Sequence, residues 1–74
     1  MKIQLLSCDT PRPDRRAIIK MLEEVAEGMD SSLATELTDV LLDGSPVDID
    51  VSGKTTSSAF RALRKLDIDY EILG

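Results

Sequence analysis

The stretch DRRAIIKMLEEVAEGMDSSLATELTDVLL, Asp14 to Leu42, decides the fold. In its first half, from Asp14 to Glu27, Ile18, Met21, Leu22, Val25 and Ala26 recur at i, i+3, i+4, i+7 and i+8, which draws one apolar stripe along an α-helix. In its second half Leu33, Ala34, Leu37, Val40 and Leu41 fall on one side of another helix. Gly28 stands between them. A glycine just past a periodic segment takes positive φ without steric cost and ends a helix, and Asp30 or Ser31 can then cap the next one. The reading is two separate helices, not one long one.

Working outward, Lys2 to Cys8 reads as a strand with Ile3 and Leu5 on one face and Lys2 and Gln4 on the other. Pro11 and Pro13 break it, because proline removes a backbone donor, and Pro13 has the φ suited to the start of a helix. Asp43-Gly44-Ser45-Pro46 closes the second helix. Val47 to Val51 alternates strictly and predicts a half-buried strand with Asp48 and Asp50 facing water. After the turn Ser52-Gly53-Lys54, Thr55 or Thr56 can cap a third helix with Ala59, Phe60, Leu63 and Leu66 inward and Arg61, Arg64 and Lys65 outward. Ile68 to Ile72 alternates again as the last strand. The order β-α-α-β-α-β predicts an α+β domain over residues 1–74, with three helices packed on one face of a small three-stranded sheet.

Seventy-four residues make one modest core, in which roughly 60% of the unfolded surface is buried. The 42% hydrophobic and 31% charged composition is that of a globular domain, not of a disordered chain. No apolar run approaches the roughly 20 residues that span a bilayer, and the first residues lack the basic and apolar blocks of a secretory signal. The lone Cys8 cannot make an internal disulfide, so a reducing compartment suits the chain. The expectation is a cytoplasmic protein with no membrane partner. A formal net charge of -5 argues against a protein whose main task is to neutralise phosphates. Charge is also segregated: nine acidic residues and no lysine or arginine lie between Met21 and Gly53. The basic residues gather in two blocks, Arg12, Arg15, Arg16 and Lys20, then Arg61, Arg64 and Lys65.

Three motifs invite chemistry. Gly53-Lys54-Thr55 sits between a strand and a helix like the end of a phosphate-binding loop, but Asp48 stands where that loop needs its first glycine, and a carboxylate there repels phosphate. Asp48, Asp50, Asp69 and Glu71 share the open sheet face, which strand alternation alone explains. The chain has no histidine, so Cys8 lacks an imidazole base to activate it and reads as a structural cysteine. No catalytic residue, metal site or cofactor is expected.

Element order and pattern resemble the fold shared by the C-terminal domain of the bacterial ribosomal stalk protein and the adaptor of the Clp protease. Arg15-Arg16-Ala17-Ile18-Ile19-Lys20 looks like the stalk domain's first helix, whose basic residues recruit translation-factor GTPases; the resemblance implies such a role for Arg15 and Lys20. Ser32 and Thr35 stand where the stalk domain would have lysines, and Asp67 where it has the glycine after its third helix. Met29-Asp30 with Ala34-Thr35-Glu36-Leu37 is similar to the second helix of the protease adaptor, which recognises destabilising N-terminal residues, and Cys8-Asp9-Thr10 loosely resembles its acidic loop. Leu42 stands where the adaptor's pocket has a histidine. Both relatives bind proteins, so the expected function is a protein-binding module without catalytic activity. The candidate partner-binding residues are Arg12, Arg15, Arg16 and Lys20, and local pairing with Glu23, Glu24 and Glu27 competes with that role. Two off-stripe apolar residues, Leu6 and Leu42, are further candidate contacts. The alternative is a ribosome- or nucleic-acid-associated accessory protein, which requires the basic blocks of the first and third helices to adjoin.

Overall fold

The structure, a computed structural model, describes residues 1–73. Its elements are β1 (Lys2–Cys8), α1 (Arg15–Val25), α2 (Ser31–Leu42), β2 (Val47–Asp50), α3 (Thr56–Lys65) and β3 (Ile68–Ile72), in the expected order. The sheet order is β2-β1-β3, and both edge strands run antiparallel to the central β1. Chain order therefore carries β2-α3-β3 across β1, with α3 as the crossover.

All three helices lie over the face that presents Ile3, Leu5, Val47, Ile49 and Ile68, which are buried. α2 covers β1 and β2, α3 covers β3, and α1 packs against both helices. Ile18 and Leu22 of α1, Leu41 of α2 and Leu63 of α3 close the core at 0–1% exposure, where each such side chain contributes about 1.5–3 kcal/mol. The other sheet face is open to water. Register sets Gln4 between Asp48 and Glu71, and Lys2 beside Asp50. Two strand spacings, about 10 Å, thus separate Asp48 from Glu71. Among the described residues no three ligating groups converge as a metal would require.

The structure departs from the sequence reading at several boundaries. α1 stops at Val25, because Ala26 turns extended and bridges Val51 while Glu27 N–H donates to the Asp50 carbonyl at 2.7 Å. The outer edge of β2 thus takes the backbone that would have continued the helix. Gly28, at φ 68°, makes the bend that follows and is not the cap itself. Val51 is correspondingly an isolated bridge and not a strand residue. Thr55 stands at the N-cap of α3, as expected, but without a side-chain cap bond; its hydroxyl donates to the carbonyls of Val25 at 3.2 Å and Ser52 at 3.3 Å, tying the start of α3 to the end of α1. In α3 only Ala59 and Leu63 are fully buried; Phe60 and Leu66 are half-buried, and the Phe60 ring stacks on Tyr70 at 5.2 Å. Leu42 is half-buried against the core, not a free surface residue, whereas Leu6 faces water where the β1–β3 register shifts. Asp67 follows α3 at φ 57°, a conformation aspartate tolerates better than most side chains.

Candidate partner-binding site

The N-terminal basic block is divided by its geometry. Asp14 caps α1 by accepting from Ala17 N–H at 3.1 Å, and burial of Ile18, Met21, Leu22 and Val25 sets the rotation that sends the basic residues to different sides. Arg15 points toward α2: its Nε donates to Asp39 Oδ1 at 2.8 Å and its Nη2 to Oδ2 at 3.2 Å. This two-pronged bond holds the Asp39 carboxyl below the ordinary carboxylate range. Among the described residues it is the one ion pair. Arg15 therefore joins α1 to α2 through an exposed ion pair.

Arg16 and Lys20 are exposed and form no ion pair among the described residues. The competing pairing with glutamates does not form; Glu23 instead accepts from the Ser31 hydroxyl at 2.8 Å, a second tie from α1 to α2. On the opposite side of α1, Ala17, Lys20, Met21, Glu24 and Val25 meet Ser58, Ala62, Lys65 and Leu66 across a groove of about 250 Å³. The groove exists because small residues face each other: Ala17 on α1 and Ser58 and Ala62 on α3 leave the space a larger pair would fill. Its floor is the buried Met21 and Val25 with half-buried Leu66, and the charged residues that line it are Lys20 and Glu24 from α1 and Lys65 from α3. Lys65 and Leu66 also border a smaller depression that Arg12 lines with Thr10, Asp14 and Asp67. The two basic blocks thus adjoin through Lys65, with Arg12 and Lys20 on either side of it.

A larger depression, about 310 Å³, also lies at the C-terminal end of α3, between Asp9, Arg64, Asp67, Ile68, Asp69 and Tyr70, and shares Asp67 with the one that Arg12 lines. Its chemistry is less suited to a partner. Asp9 hydrogen-bonds and repels Asp69, raising the Asp69 carboxyl above its ordinary value, with burial adding to the rise and a bond from Ser7 opposing it. Cys8 is half-buried, and its thiol leans on the Leu66 carbonyl at 3.6 Å.

Of the four expected residues, Arg12 and Lys20 border this connected surface, Arg16 stands exposed on the outer side of α1, and Arg15 is held by α2. The groove residues Ala17, Ser58 and Ala62 escaped the sequence reading, since a small residue on an apolar stripe reads as filler. The signal was the matched i, i+4, i+7 spacing of Ala17-Met21-Glu24 and Ser58-Ala62-Lys65. No family model, characterised protein or solved structure matches the chain.

Proposed function

We propose that this chain is a small protein-binding module, without catalytic activity of its own, whose α1–α3 groove takes an apolar side chain presented among carboxylates. The observation that carries this is the apolar floor of Met21, Val25 and Leu66 between Lys20 and Lys65. An apolar anchor there gains burial, and the two ammonium groups, against the single Glu24 carboxylate on the same rim, favour an acidic flank over a basic one. The resemblance to the stalk and Clp-adaptor superfamily belongs to the same reading and is supported by the β-α-α-β-α-β order. A cytoplasmic location is supported by the single cysteine. No helix among the described residues is long and apolar enough to cross a membrane.

Selection of a random peptide library against the chain tests the proposal. Recovered peptides should pair a bulky apolar residue with Asp or Glu. Their affinity should fall about tenfold, or 1.4 kcal/mol, in a Lys20→Glu, Lys65→Glu variant, and also in Ala17→Leu, which fills the groove without changing charge. Basic peptides, or affinities indifferent to all three changes, would overturn the proposal. Adjacency of Lys20 and Lys65 also supports the second reading, a nucleic-acid or ribosomal accessory protein. That reading requires an affinity for RNA which falls steeply as salt rises.

A further inference from the structure

α2 carries more apolar surface than the core takes. Leu33 at 41% and Val40 at 42% exposure lie with half-buried Leu37 along one flank, at i, i+7 and i+4. They make a stripe about 10 Å long, at 1.5 Å per residue. The face toward the sheet is Ala34, Thr38 and Leu41, and the opposite flank is the one that meets α1 through Asp39 and Ser31. Among the described residues none covers the Leu33–Val40 side.

The charge around this stripe is of one sign. Glu36 stands beside it between Leu33 and Val40, while Asp30 and Asp43 cap its two ends. α2 itself has no lysine or arginine, and Arg15, the basic side chain bonded to it, is held on the far flank by Asp39. A second copy docking α2 against α2 about a two-fold axis would set these carboxylates against their counterparts, and an acidic partner meets the same repulsion. We infer that this flank of α2 docks an amphipathic helix of a partner protein, apolar along one side and bordered there by lysine or arginine. Spacing of the three apolar residues suits helix-against-helix recognition. The site is separate from the α1–α3 groove, carries the opposite charge, and does not depend on that groove having the proposed function.

The experiment uses the ¹⁵N-labelled full chain and three synthetic helical peptides: leucines flanked by lysines, the same leucines flanked by glutamates, and the lysine peptide with serines replacing its leucines. At a salt concentration of about 0.1 M, where exposed charges more than roughly 10 Å apart are largely screened, the first peptide should shift the amides of Leu33 to Val40, and the other two should not. Leu33→Ser with Val40→Ser should weaken that binding about tenfold while the spectrum stays folded, and Glu36→Lys should weaken it as well. Lys20→Glu with Lys65→Glu should leave it in place, which separates this site from the groove. Equal binding of the serine peptide, or shifts spread over all acidic segments, would reduce the site to bulk charge and overturn the inference. Shifts of the α2 amides on dilution without peptide would overturn it in favour of a second copy.

Discussion

α1 and α2 read alike in sequence, each a run of apolar residues at helical spacing, and the fold uses them differently. In α1 the stripe is buried as written: Ile18, Met21, Leu22 and Val25 are all at 5% exposure or less. In α2 the stripe is split. Ala34 and Leu41 go inside, Leu33 and Val40 stay out, and Thr38, a polar residue one turn on from Ala34, is fully buried. The difference does not lie in the width of the apolar arc: at 100° per residue it covers about 200° in both, from Ala17 round to Ile19 in α1 and from Val40 round to Leu42 in α2. It lies in the neighbours. α1 packs between α2 and α3, whereas α2 meets the sheet on its inner face and α1 on one flank, so one rotation must be chosen that leaves its other flank outside. Two local facts then favour the observed one. Ala34 lets the helix approach the sheet closely, and the Thr38 hydroxyl donates to the Ala34 carbonyl at 2.7 Å, so it enters the core already satisfied.

The largest expected effect contrasts the two helices directly. Leu22→Ala removes a fully buried side chain and should cost about 2–5 kcal/mol, a large share of the 5–15 kcal/mol that holds a typical domain folded. Leu33→Ala, at 41% exposure, should change stability by no more than about 0.5 kcal/mol. Chemical denaturation of both variants measures the contrast. A Leu33 cost as large as that of Leu22 would mean that the α2 flank is covered in solution and that the two helices are not so different after all.

Thr38 sharpens the same comparison with a smaller effect. Thr38→Val keeps the branched shape and removes a hydroxyl whose acceptor, the Ala34 carbonyl, retains the helix bond to the Thr38 N–H. The variant should be neutral or more stable by about 0.5–1 kcal/mol, read from the shift of its denaturation midpoint. Destabilisation beyond about 1 kcal/mol would show that the hydroxyl selects the rotation of α2 and is not merely tolerated by it.

This contrast also marks how far the sequence was legible. Six elements in order, the inward residues of β1, β2 and α1, and the wet row of Asp48, Asp50, Asp69 and Glu71 followed from periodicity, because each has a single burial solution. The rotation of α2 did not, because which flank of its arc finds no neighbour depends on where α1 and the sheet sit. The early end of α1 did not either, because Ala26 and Glu27 are claimed by β2, a strand more than twenty residues away in sequence, and local propensity carries no record of that pairing. For the candidate site, the exposed basic residues were readable but the destination of each was not. Arg15 and Lys20 differ by five residues, yet one is taken by Asp39 of α2 and the other borders a groove against α3. Only the packing of all three helices separates them.

The smallest expected effect concerns acid, and it sets the α1–α2 joint against the β1–β3 end of the sheet. Asp39 is held below its ordinary value of about 3.9 by the bond from Arg15, so the folded chain releases that proton more readily than the unfolded one. Its contribution is stabilising above that ordinary value and fades as pH falls through the depressed one. Asp69 has the opposite sign. Its carboxyl is raised, first by the hydrogen bond with Asp9 and then by the charge of Asp9, so the folded chain keeps a proton that the unfolded chain has lost. That contribution is present below the ordinary value and fades as pH rises through the raised one. Asp39→Asn should therefore lower the melting temperature near pH 7, with the gap closing toward about pH 3. Asp69→Asn should raise it near neutrality, because an amide can hydrogen-bond to Asp9 without the repulsion, and this gap too should shrink in acid. Both groups are solvent-exposed, so added salt should weaken both effects. Melting curves of the two variants across that range decide the matter: gaps of the same sign at pH 7 would mean that either the Arg15 bond or the Asp9–Asp69 contact does not persist in solution.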